Sequence, residues 1–316
     1  MPMPAIRQNS LHLCRLAGVD LYVHWSWFLV AVFEIGTRAR SYSSPLWNVL
    51  EYLALFAIVL THEFGHVLAC RSTGGAADQI MLWPLGGVAY VRPPQRPGAI
   101  LWSVAAGPLV NVVLMPVFLV ALSVATHLGW MVSWYDAYSF LWILAKINTW
   151  ILLFNLLPVY PLDGGQILRS LLWFGLGRAR SLMMVAVLGF LGVAAFIGLA
   201  LFQQSVWLGL IAAYMGMNCM GAFKQAKALA RLEKLPRRAG FACPSCETAP
   251  PIGPFWRCTG CGQGFDTFLT GAACPACGER FMTTTCLDCR EERPFNQWVK
   301  DSMPDGGVLN GGSTIR

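Results

Sequence analysis

Thr61-His62-Glu63-Phe64-Gly65-His66 is the stretch from which the rest of the chain can be read. It is an H-E-x-x-H pattern set inside an apolar run from about Trp47 to Ala69. On a helix, residues i and i+4 stand one above the other on a single face. His62 and His66 can then share one Zn²⁺, with Glu63 beside them as general base on a water held by the metal. With 5 His and 16 acidic residues among 316, about 0.004 such matches are expected by chance. The competing explanation is two histidines satisfied by carbonyls in a packed helix. The surroundings argue against it, because ionisable groups within a lipid-spanning segment are costly and mark function by default.

Working outward, the chain is 56% hydrophobic and only 12% charged, with mean hydropathy +0.52. A soluble domain carries about 25% charged residues, so this composition indicates a polytopic membrane protein. The net charge of +7 is not read as a nucleic-acid footprint, since Lys and Arg also mark cytoplasmic loops. The 13 Trp suit an interfacial aromatic belt. Residues 1–20 are polar, with Arg7 and Arg15, and no cleavable signal peptide is expected there.

Six spans are expected, at about Leu21–Ile35, Trp47–Ala69, Ala99–Val124, Tyr138–Leu157, Leu182–Phe202 and Val206–Met220. Basic residues fall on alternate loops: Arg7 and Arg15; Arg71, Arg92 and Arg96; Arg169, Arg178 and Arg180; Lys224, Lys227 and Arg231. The opposite set holds Arg38 and Arg40 and little else, so both termini are expected in the cytoplasm. The second and fourth spans then both run inward. The fourth leads into Asn155-Leu156-Leu157-Pro158-Val159-Tyr160-Pro161-Leu162-Asp163-Gly164-Gly165, which brings Asp163 to the level of the two histidines. A carboxylate is the natural third ligand of a two-His site whose fourth position stays open. The alternative for Asp163 is a solvated helix-end residue, and the agreement in depth favours ligation.

The segments Thr61–His66, Ala106-Gly107-Pro108-Leu109-Val110-Asn111 and Asn155–Gly165, in this order on successive spans, resemble the site-2 protease family of intramembrane zinc metalloproteases. The likeness covers roughly residues 15–222 and is nearest the six-span prokaryotic branch. It implies zinc ligation by His62, His66 and Asp163, with Glu63 as catalytic base. The substrates it implies are membrane proteins cut within or near a transmembrane segment, such as tethered anti-sigma factors, precursor transcription factors or leftover signal peptides. The chain departs from that branch where cysteine pairs replace the CBS domains it often carries, so regulation by an adenine nucleotide is not implied.

Between the second and third spans, Ile80–Val91 reads as two short apolar strands broken at Pro84-Leu85-Gly86-Gly87, a membrane-associated hairpin. Its free edge is expected to pair with an extended substrate, a plain connecting hairpin being the alternative. Gly107 and Pro108 are expected to kink or thin the third span, and Asn111 to hydrogen-bond across helices. Asn155 is a candidate substrate-binding residue, donating to a substrate carbonyl or holding the helix broken at Pro158. Lys146 is expected to snorkel or to pair with Glu34 or Glu51, and His24 to be a satisfied interfacial histidine.

Residues 1–222 thus form the expected membrane domain, and 223–240 a basic amphipathic helix, carrying Lys224, Lys227, Arg231, Lys234, Arg237 and Arg238, on the inner leaflet or simply solvated. Residues 241–290 carry four C-x-x-C pairs: Cys243/Cys246, Cys258/Cys261, Cys274/Cys277 and Cys286/Cys289. Such pairs in a reducing cytoplasm hold metal rather than disulfides. Used in sequence they build two Cys₄ zinc ribbons, and a cross-braced pairing stays open. With few basic residues across Phe241–Arg290, a protein partner is expected and a nucleic acid is not. Residues 291–316 read as a disordered tail. The expectation is therefore an α-helical polytopic membrane protein with one catalytic and two structural Zn²⁺. A membrane-anchored zinc-ribbon adaptor with a relic metal site is the alternative, and a zinc transporter is disfavoured because no further intramembrane His or carboxylate pairs mark a path.

Overall fold

A computed structural model of the chain describes residues 10–29, 32, 42–83 and 86–299. These divide into two compact units, Met1–Lys227 and Ala228–Arg316.

The first unit opens with β1 (Ser10–Leu16) and β2 (Val19–His24), followed by α1 (Pro45–Ser72). Ser44 caps α1, accepting from the Leu46 N–H at 3.3 Å, and Pro45 supplies a preset φ in the first turn. Next come β3 (Ala76–Trp83), β4 (Gly86–Arg92) and α2 (Pro97–His127), which again starts at a proline. After a single helical turn at Trp130–Ser133 come α3 (Tyr135–Asn155), α4 (Asp163–Leu176), α5 (Arg178–Phe202) and α6 (Val206–Glu233). Among the described residues α1, α2, α3, α5 and α6 are long and apolar enough to cross a membrane. With 14 residues, α4 is too short to do so.

The hairpin expected at Ile80–Val91 is present as β3 and β4, although its turn residues Pro84 and Leu85 lie outside the described ones. It belongs to a larger sheet than the sequence suggested. The strand order is β1-β2-β3-β4, with β2 and β3 parallel and the other pairs antiparallel. The parallel pair needs a long crossover, and α1 lies within it. Val19, Leu21, Val23, Ile80 and Leu82 form one core with Val59 and Val67 of α1. Arg71, at the end of α1, locks this layer: its guanidinium donates to the Ala17, Gly18 and Ala77 carbonyls at 2.7–3.0 Å.

The expected first span, Leu21–Ile35, is corrected at its start. Leu21–His24 are strand, and residues 30–31 and 33–35, with Glu34, lie outside the described residues, as do Arg7, Arg38 and Arg40. A short apolar run rich in Val and Tyr satisfies a buried strand as well as a helix, and here the β3 partner decides. Lys146 lies over the Trp142 ring, 4.9 Å from its centroid. The ring of His24 stacks on Trp83 with centroids 5.2 Å apart.

The expected separate helix at 223–240 does not exist as such. Residues up to Glu233 continue α6, and Arg237 and Arg238 beyond it are engaged in the second unit. Arg237 grips both Asp288 oxygens, at 2.7 and 3.1 Å, and that carboxylate raises Arg237 above its ordinary pKa. Arg238 pairs with buried Asp266 at 2.6 Å. These two cations are committed within their own unit rather than to a leaflet. Residues 291–299 are likewise not a loose tail. As β5 (Trp256–Arg257) pairs with β6 (Gly264–Phe265), so β7 (Thr283–Thr285) pairs with β8 (Glu292–Pro294), and a short turn after it buries Trp298 to 1% exposure. Trp298 belongs to an aromatic cluster centred on Phe268, which also touches Phe241, Trp256 and Phe295 at 5.0–5.6 Å between centroids. The glycines at 306–307 and 311–312 lie outside the described residues.

Candidate metal centre

The structure brings His62, His66 and Asp163 together. His62 and His66 leave one face of α1, and Asp163 opens α4, about a hundred residues later. His62 Nε2 and His66 Nε2 lie 3.2 Å apart, and Asp163 Oδ2 lies 3.1 and 3.3 Å from them. Both imidazoles are buried.

The far side of each ring fixes what these three atoms are. His66 Nδ1 donates to the Ser103 carbonyl at 2.9 Å. A carbonyl can only accept, so Nδ1 carries a proton, and the neutral ring then presents its lone pair at Nε2. The His62 tautomer is set through two more residues, Asn111 and Asn148. Asn148 Nδ2 donates to the backbone carbonyl of Asn111 at 2.9 Å, which orients the Asn148 amide. Its Oδ1 then accepts from Asn111 Nδ2 at 2.8 Å, and Asn111 Oδ1 faces His62 Nδ1 at 2.6 Å. Asn111 and Asn148 are both fully buried. His62 Nε2 therefore also presents a lone pair. With both rings neutral, three acceptors converge with no proton among them, an arrangement that repels itself unless a cation lies between. Ligands about 2.0 Å from a tetrahedral zinc stand about 3.3 Å apart, so the residues present fit that ion.

Two glycines keep the centre open. A Cβ on Gly107 of α2 would stand 2.3 Å from His66 Nε2 and 2.7 Å from His62 Nε2, inside the volume the three ligands face. The helix runs on unbroken through Pro108 and Pro116, and Gly107 lets it come close to the two imidazoles. A Cβ on Gly87 of β4 would stand 2.3 Å from Glu63 Cγ. Beside it the Ala89 N–H donates to Glu63 Oε2 at 2.9 Å. The edge of β4 turned away from β3 therefore orients the Glu63 carboxylate. Asn155 is the last residue of α3, half-buried, and its side chain hydrogen-bonds to no described residue.

Two further clusters lie in the second unit, and their pairing is neither sequential nor cross-braced. Cys243, Cys246, Cys286 and Cys289 form one set, and Cys258, Cys261, Cys274 and Cys277 the other, nested within it in sequence. Sγ–Sγ distances of 3.7 and 3.8 Å in the outer set and 3.5 and 3.6 Å in the inner one suit the edge of about 3.8 Å expected for zinc thiolates at 2.3 Å. The outer pairs meet because β7–β8 and Trp298 return the chain to Phe241, where Val299 bridges to it.

Sequence reasoning missed the Asn111–Asn148 ladder, the Ser103 carbonyl and the roles of Gly87 and Gly107. Two buried asparagines on apolar helices were the available signal, since such groups need partners in lipid.

The fold and site define a multi-pass membrane protein with a buried two-histidine, one-carboxylate centre. The chain belongs to peptidase family M50, whose profile matches residues 51–129 and 123–199. The zinc metalloprotease MJ0392 of Methanocaldococcus jannaschii is 31% identical over 180 residues, covering 57% of this chain and 50% of its own. Rip3 of Mycobacterium tuberculosis is 30% identical over 272 residues, covering 79% of this chain and 66% of its own. The chain thus spans about half to two thirds of the length of these relatives. Among solved structures, the site-2 protease from Methanocaldococcus jannaschii matches with a TM-score of 0.47 and 25% identity, over 68% of this chain and 95% of that one.

Proposed function

We propose that the chain is an intramembrane zinc metalloprotease, hydrolysing peptide bonds within or near the transmembrane segments of membrane-protein substrates. The observation that carries this is the meeting of three lone-pair atoms, from His62, His66 and Asp163, beside an oriented Glu63 in a bundle of apolar helices. Membership of peptidase family M50 supports it.

His62, His66 and Asp163 would hold the catalytic zinc. When bound, zinc supplies Lewis acidity, lowering the pKa of water toward about 7 and polarising a carbonyl. Glu63 takes the proton from the attacking water and returns it to the leaving amide nitrogen, as the C–N bond breaks and a C–O bond forms. The Ala89 N–H keeps the carboxylate facing the centre while this happens. Asn155, with its amide uncommitted, donates to the substrate carbonyl. A helical substrate hides its carbonyls in backbone bonds and must unwind first. The outer edge of β4 offers strand pairing to the unwound segment, beside Glu63. The bias of basic residues supports cytoplasmic termini and a site near that face. In the second unit the two Cys₄ sets would hold structural zinc and present a surface for a protein partner.

The alternative, a membrane-anchored adaptor with a relic metal site, is disfavoured because both Gly87 and Ala89 serve the Glu63 carboxylate. A relic centre has no use for an oriented base. Co-expression of single-span substrates with wild type and with Glu63→Gln tests the reading. Cleavage is expected with wild type alone, and cleavage persisting in the variant would discard it.

A further inference from the structure

Away from the metal centre, the turn joining α4 to α5 gathers two cations on one indole. Arg169 Cζ lies 5.9 Å from the centroid of the Trp173 ring, and Arg178 Cζ lies 5.6 Å from it. Arg178 Nη2 donates to Gln95 Oε1 at 2.8 Å, which fixes that guanidinium across from the start of α2. Arg169 is different. It is largely enclosed, its Nε is buried, and it donates to no acceptor among the described residues. A guanidinium carries five donors and is always charged. Enclosing one without an acceptor is costly, and a second guanidinium nearby adds repulsion. Burial and the Arg178 charge both push Arg169 below its ordinary pKa. The Tyr160 phenol, also enclosed, is near enough to feel the Arg169 charge.

An oxyanion would relieve all of these costs. Planar guanidinium forks match the oxygens of phosphate and bind them in bidentate fashion. The neighbourhood also suggests a source. Leu171, Phe174 and Leu176 on the same helix are 52%, 63% and 39% exposed. Exposed apolar side chains beside enclosed arginines and a tryptophan are the make-up of a segment at the boundary between acyl chains and headgroups. Arg169 lies six residues after Asp163, about 9 Å along the axis of α4.

We propose that Arg169 and Arg178, joined by Trp173, form a binding site for a phosphate group, outside the proteolytic centre. The phosphate belongs either to an anionic lipid headgroup or to a free phosphate.

The full chain, purified with its zinc in detergent, tests this by native mass spectrometry with phosphatidylglycerol as probe and diacylglycerol as the phosphate-free control. Wild type should retain phosphatidylglycerol and not diacylglycerol. Arg169→Gln and Arg178→Gln should each weaken the first bound lipid about tenfold or more, as loss of charge-assisted hydrogen bonds does. Arg180→Gln, on an exposed neighbour, should stay within about twofold. Unchanged zinc content shows that a variant is folded. Should Arg169→Gln fail that check, Arg169→Lys keeps the charge without the fork and is expected to bind more weakly than wild type. Excess inorganic phosphate distinguishes the sources. If it displaces the lipid and stabilises wild type alone against heat, the ligand is free phosphate; if it does neither, the ligand is the lipid. Wild-type affinity for phosphatidylglycerol and for inorganic phosphate in folded Arg169 and Arg178 variants would overturn the proposal.

Discussion

The membrane centre and the cysteine clusters both have ligand atoms at distances that suit zinc, but they are held in place in opposite ways. His62, His66 and Asp163 are positioned by the fold. One helix and the start of another carry them, and the Ser103 carbonyl and the Asn111–Asn148 ladder orient the rings from behind. The eight cysteines sit on tight turns between two-stranded ribbons, with one small aromatic cluster around Phe268 as support. In the first region the fold makes the site. In the second the proposed metal would make the fold, because so small a core cannot offset the entropy of ordering the chain.

The largest effect should therefore be metal removal. Chelation, or Cys286→Ser with Cys289→Ser, should unfold residues 234–299, since structural zinc contributes about 10–16 kcal/mol of apparent folding free energy in small finger peptides. Tryptophan hydrogen exchange and limited proteolysis would report it, while the membrane helices keep their protection. Equal resistance in both regions would break the contrast. Next is Gly107→Ala, whose methyl would collide with both Nε2 atoms. The membrane site should lose its metal while the helical circular dichroism is retained.

A smaller effect is expected from Asn111→Ala, which frees the His62 ring without touching a proposed ligand. Loss of such an outer partner weakens metal binding by about 10–100-fold, measured by competition with a chromogenic chelator. Asn148→Ala should give a weaker version of the same shift, because it acts through Asn111. The smallest is Arg71→Ala. It removes hydrogen bonds to three carbonyls at a half-exposed position, and about 1–3 kcal/mol of stability should be lost. A shift in the thermal midpoint of a few degrees would show this, with zinc content unchanged.

What could be read from the sequence follows the same divide. The spacing of His62 and His66 is a local property of one helix, so it was visible directly. Asp163 became visible only through the alternation of spans and basic loops, because that pattern fixes depth without contacts. Asn111 and Asn148 were visible as polar residues in lipid, but their ladder requires knowing that α2 and α3 face each other. Leu21–His24 were misread because a six-residue strand takes its identity from its partner strand, which lies beyond a 28-residue helix. The cysteine pairs were plain and their nesting was not. Each knuckle is local, but the choice of partner is set by where β7, β8 and Trp298 return the chain.

The central claim is that three unprotonated ligand atoms inside the helical bundle hold one zinc ion, independently of the cysteines. The most direct measurement is the metal content per chain of the full protein, purified with zinc supplied, in wild type and in the His62→Ala, His66→Ala double variant. The account predicts three zinc ions falling to two, one for each cluster of ligands lost. An unchanged count between the two proteins would contradict it.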